Sequence, residues 1–197
     1  MGLIHGEEYS TIRTLLHYAG GVMPTMVALS LLFSQKGAEG RRDYWLRLID
    51  FRRIGTVWYA VIFITAPVLT LIGAVFGGDE GALDAAETWI ENPLSLIPFA
   101  LFLLLFGPLP EEMAWRGYAL EGLQAKRSAL SASLILGLFW TIWHLPLFLI
   151  DNSYQQGLGI GTPQFWLYML DKVPQSVVMT WIYNNNRRST LSAVLLH

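Results

Sequence analysis

The run Pro110-Glu111-Glu112-Met113-Ala114-Trp115-Arg116 puts two adjacent carboxylates and an arginine directly after the apolar stretch 94–109. Two imidazoles follow in equally apolar surroundings. His144 closes Trp140-Thr141-Ile142-Trp143-His144, and His197 closes Leu191-Ser192-Ala193-Val194-Leu195-Leu196-His197. An ionisable group at a transmembrane helix centre costs about 2.5–3.5 kcal/mol on insertion scales, so such groups face a polar cavity and usually act there. A carboxylate beside an imidazole can deprotonate water when burial makes the carboxylate a better base. Amide hydrolysis further needs a donor toward the carbonyl oxygen and restricted water access. Glu111, Glu112, His144 and His197 supply the residue types for that chemistry from three separate helices.

Spacing sorts the roles. Glu112 and Arg116 stand i, i+4 and can pair on one helix face. Glu111 lies about 100° round the helix and keeps no such partner. Helix capping explains the same residues: proline suits the first helical position, and acids in the first turn oppose the helix dipole. Trp140 and His144 share one face of their helix. An interior histidine bonded across the bundle would account for His144 alone, and Pro146 ends or bends that helix. Ser192 and Ala193 are small enough for close helix approach before His197.

The elements that must position these groups are membrane helices. The chain has 197 residues, 53% hydrophobic and 14% charged. A soluble domain carries about a quarter charged residues. Net charge of −2 gives no basis for a nucleic-acid partner, and the absence of cysteine removes disulfides, thiolate ligands and a cysteine nucleophile. Apolar runs of about 17–25 residues can cross a bilayer, and they fall at about 16–33, 57–76, 93–109, 129–150 and 163–184. A sixth helix begins at Thr190 and stops before it could cross, so the sequence reads as ending inside an element. The expected fold is an all-α polytopic transmembrane bundle of about six helices. Residues 1–92 would form N-terminal membrane helices with a basic interfacial segment, and 93–197 a catalytic core. No cleavable signal is expected, because Glu7, Glu8 and Arg13 precede the first apolar run.

Loop charges alternate. Loops 34–56, 110–128 and 185–189 carry lysines and arginines, whereas 77–92 and 151–162 carry acids and no base. The positive-inside rule then puts the N-terminus outside and Glu111 and Glu112 near the cytoplasmic end of their helix. Residues 40–54 mix arginines with Tyr44, Trp45, Leu46, Leu48, Ile49 and Phe51, as an amphipathic helix on the inner leaflet would.

Together these motifs resemble the CAAX protease and bacteriocin-processing family of intramembrane glutamate proteases, which includes the type II CAAX prenyl endopeptidases. Glu111, Glu112 and Arg116 match its Glu-Glu-x-x-x-Arg motif. His144 matches the histidine of Phe-x-x-x-His, with Trp140 where the phenylalanine stands, and His197 matches the histidine of His-x-x-x-Asn. The position of that asparagine lies past the last residue. The resemblance covers about residues 93–197, and the first half carries no family motif. It implies an intramembrane endopeptidase that needs no cofactor or metal and cuts a peptide or lipidated protein near the cytoplasmic face of a prokaryotic plasma membrane. Glu111 would be the base that activates water, with His144 holding or sharing the proton. Glu112 and Arg116 would orient the site, and His197 would stabilise the oxyanion.

Two other readings stay open. Two histidines and a carboxylate can form an open zinc site, giving a zinc-dependent membrane protease. A non-enzymatic membrane protein, an immunity factor or a transporter, would instead use Asp171 and Lys172 ahead of Pro174 to line a pathway. In a kinked helix Lys172 would simply snorkel.

Overall fold

A computed structural model describes residues 20–77, 91–92, 94, 96–151 and 153–197. Within them the chain is helical, without a strand. Helix α1 spans Gly20–Gln35, α2 Ala38–Ile49 and α3 Thr56–Gly77, with a 3-10 turn at Phe51–Arg53 between the last two. Helix α4 covers Leu96–Phe106. After a break at Gly107, α5 (Pro108–Ala114) runs through a π-helical turn at Trp115–Ala119 into α6 (Leu120–Gln124). Helix α7 is Ala129–His144 with a 3-10 extension to Leu149. The short α8 (Tyr154–Leu158), the long α9 (Pro163–Asn185) and α10 (Thr190–Leu196) complete the order.

The protein is an all-α membrane helix bundle. Among the described residues, Ala129–Leu149 is the helix both long and apolar enough to cross by itself, and Gly20–Gln35 and Thr56–Thr65 form shorter apolar stretches. Helix starts follow local chemistry. The hydroxyls of Ser128, Thr162 and Ser189 each accept the backbone N–H three residues on, capping α7, α9 and α10. Gly159 closes α8 at φ 75°, a conformation that suits glycine.

The expected crossings coincide with α1, α3, α4, α7 and α9. Residues 16–19 and most of the acidic loop 77–92 lie outside the described residues. The stretch 110–128, expected as a loop, is largely helical. Within it Glu112 and Arg116 pair as their i, i+4 spacing suggests and neutralise one another inside the bundle.

Packing between α7 and α9 sets the site. A Cβ on Gly137 would come 2.9 Å from Val173 Cα and 3.1 Å from Ser176 Cβ, so the two backbones approach where only hydrogen fits. Ser176 Oγ donates to the Ser133 carbonyl at 2.9 Å, satisfying a buried hydroxyl beside that contact. Around it, Leu136, Trp140, Met179, Ile182, Tyr183 and Ala193 are buried.

The three basic loops meet at one end of the bundle. Glu121 accepts Arg47 at 2.9 Å and Arg188 at 3.2 Å, with Lys36 at 3.7 Å, and Arg53 donates to the Arg187 carbonyl at 3.0 Å. Buried Asn186 ties the α9–α10 turn to the start of α3 by accepting the Gly55 N–H at 3.2 Å.

Candidate active site

Helix α5 is gripped on both sides of its acid pair. Thr25 Oγ1 from α1 donates to the Pro110 carbonyl. Tyr44 Oη from α2 donates to the Met113 carbonyl at 3.0 Å. Gly117 makes room for the Tyr44 ring, which would lie 3.0 Å from a Cβ at that position. Burial pushes the Tyr44 hydroxyl up to about 12, so it remains a donor at physiological pH.

The adjacent acids part company as their 100° offset requires. Glu112 turns inward, is fully buried, and holds Arg116 Nη1 at 2.8 Å. The same Oε1 atom takes His197 Nδ1 at 3.0 Å. Glu112 Oε2 and two guanidinium nitrogens of Arg116 are buried with no hydrogen-bond partner among the described residues. Glu111 faces the other way and lines a cavity of about 790 Å³. Its Oε2 accepts the Trp140 indole N–H at 2.7 Å.

His144, Trp143, Tyr168, Lys172 and His197 line the same cavity. Hence Glu111, His144 and His197 share one space, while Glu112 and Arg116 form its buried support. His144 is 7% exposed and places Nδ1 2.8 Å from the Trp140 carbonyl. Only a protonated Nδ1 can donate there, so in the neutral ring Nε2 carries the lone pair. His197 Nδ1 likewise faces a carboxylate oxygen, so a donor at its Nε2 as well requires the imidazolium.

Trp140 is the hub of the arrangement. Besides its bonds to Glu111 and His144, its ring faces the Arg116 guanidinium at 4.9 Å, the Lys172 ammonium at 5.6 Å and the His197 ring at 5.2 Å. Motif matching reads this position as an aromatic substitution and gives the indole N–H no role. Lys172 does not snorkel out but enters the cavity, and Tyr168 and Gln155 join it there. The i, i+4 spacing of Tyr168 and Lys172 on α9 was the available sign that they share a face. Asp171 points away, exposed, and bonds Gln175. Among the described residues, no three His, Asp or Glu side chains converge closely enough to hold a metal ion together.

Residues 93–197 match the family model described as type II CAAX prenyl endopeptidase Rce1-like. The chain is also 30% identical to CAAX prenyl protease 2 of Methanococcus maripaludis, over 99% of this chain and 73% of that protein.

Proposed function

The chain belongs to the Rce1-like type II CAAX prenyl endopeptidase family, a family of membrane proteases, and on that premise we propose that it is a metal-independent endopeptidase whose general base is Glu111. Residues 93–197 form its catalytic core, and 1–92 supply the supporting membrane helices. The observation that carries the proposal is the shared cavity: one carboxylate that makes no salt bridge among the described residues faces it together with two imidazoles.

Glu111 takes a proton from a water whose other hydrogen is accepted by His144 Nε2. The water oxygen attacks the peptide carbonyl carbon, and the carbonyl oxygen becomes an oxyanion. His197, as imidazolium held by Glu112, donates its Nε2–H to that oxygen. Glu111 then passes its proton to the leaving nitrogen as the C–N bond breaks, giving a carboxylic acid and an amine. Arg116 fixes Glu112, so Glu112 and Arg116 act through His197 rather than on substrate.

The substrate is a peptide with a lipidated cysteine near its end, as the family name indicates, and the cut lies near the cytoplasmic face. The convergence of the three basic loops at Glu121 supports that orientation, with the N-terminus outside.

Glu111→Gln should abolish cleavage of a farnesylated CAAX-type peptide while leaving the melting temperature in detergent within a few degrees. Undiminished turnover would refute the assigned base. Activity lost in strong chelator and restored by zinc would favour a metalloenzyme instead.

A further inference from the structure

Lys172 is a cation placed in the cavity that makes no salt bridge among the described residues, with Asp171 and Glu111 acting on it only at longer range. Its ammonium lies 4.4 Å from the Tyr168 ring centroid and 5.6 Å from that of Trp140. Ring faces attract an ammonium but accept none of its N–H groups in strong hydrogen bonds, so the donors stay available. Each nearby carboxylate makes its hydrogen bond to another residue. Asp171 bonds Gln175 on its own helix, and Glu111 takes the Trp140 indole. On the ring that the ammonium faces, the Tyr168 hydroxyl accepts Gln155 Nε2 at 3.0 Å and therefore keeps its own proton to donate. A half-buried cation over a ring whose hydroxyl still has a proton to give, both in an apolar-walled cavity, fits a carboxylate ligand.

We propose that Lys172, assisted by Tyr168, is the subsite for the free C-terminal carboxylate of the peptide substrate. The assignment rests on the peptidase reading above and deepens it. Glu111 and Lys172 flank one indole: the N–H of Trp140 meets the acid and its ring meets the cation. A peptide whose scissile carbonyl lies at Glu111 therefore has room for about one to three further residues, at roughly 3.3–3.6 Å each, before its end reaches Lys172. Anchoring that end fixes which bond faces the base. The subsite makes the protein a cutter of short C-terminal segments, and it selects against internal loops and amidated ends.

The test uses a fluorescent peptide with a farnesylated cysteine and three following residues, made as the free acid and as the C-terminal amide. Binding to the full chain in detergent micelles is titrated in a Glu111→Gln background, which separates affinity from turnover. The acid should bind about tenfold or more tighter than the amide, as a charge-assisted contact implies. Adding Lys172→Met should bring the acid-to-amide ratio to near one, and Lys172→Arg should retain much of it. Equal binding of acid and amide before Lys172 is altered, no binding of either, or a preference that survives Lys172→Met overturns the assignment. The first comparison needs no change at Lys172, so misfolding of that variant does not remove the test. Turnover by the unaltered protein is measured in parallel. Equal cleavage of acid and amide rejects the subsite and keeps the peptidase, whereas a Lys172-dependent binding preference without cleavage keeps the subsite and rejects the peptidase.

Discussion

The Trp140 indole N–H sits 2.7 Å from Glu111 Oε2 and fixes the one acid that faces the cavity. The contact has the short length of a charge-assisted bond. Phenylalanine, which the family motif carries here, fills the site with an aromatic ring but offers no N–H. Hydrogen bonds to charged groups contribute about 1.5–3 kcal/mol. Trp140→Phe should therefore lower kcat about tenfold or more and leave the fold intact. Steady-state kinetics alongside thermal unfolding checks this, and an unaltered kcat would show that the indole does not position the base.

The two acids should fail in different ways. Glu112 and Arg116 are paired at full burial, and removing one member of such a pair costs about 3–5 kcal/mol because a bare charge stays inside. Glu112→Gln should melt far below the parent protein in detergent. Glu111→Gln should melt with it yet not turn over. Comparable stability of the two variants would mean that water reaches the pair.

The α7–α9 contact has no room for a methyl group. In Gly137→Ala the new Cβ meets the Val173 backbone at 2.9 Å, which cannot rotate away. Overpacking of this kind costs roughly 1–3 kcal/mol. Both melting temperature and cleavage rate should fall, because the displaced helices carry Trp140 on one side and Lys172 on the other.

Tyr44 predicts an alkaline limit. Its hydroxyl is raised by burial from the usual value near 10 to about 12. The folded state thus holds the proton more tightly than the unfolded chain does. Its contribution is complete below pH 10 and is lost as pH rises toward 12. Melting temperature against pH should drop across that window, and Tyr44→Phe should flatten the drop while costing roughly 1 kcal/mol at neutral pH. An equal drop in both proteins would assign it to other groups.

Hydropathy and charge made the helices legible, because lipid demands long apolar runs and loops declare themselves by their bases. The i, i+4 spacing likewise announced the Glu112–Arg116 pair and left Glu111 for other work. Cross-helix contacts were not legible. Nothing local in Trp140 indicates that its indole reaches an acid 29 positions earlier, since that depends on how closely Gly137 lets α9 approach. Lys172 misled for a similar reason. Snorkelling is what a lysine does on a lipid-facing helix, and only the packing of α9 shows that this one faces inward. The segment after Arg116 read as a loop because its polar residues, Glu121 among them, serve partners from α2 and the α9–α10 turn.

The π-helical turn at Trp115–Ala119 stores one residue of slack. Such a turn carries one residue more than the α-helix around it. Deleting Tyr118 would restore ordinary winding and leave the following segment near its present phase, because five π-wound residues sweep about the angle of four α-wound ones. Glu121 would then still reach Arg47 and Arg188, and Glu112 would stay with Arg116. The interval from 112 to 121 therefore absorbs the loss of one position, whereas a second deletion would turn the basic rim away from the acid pair by about 100°.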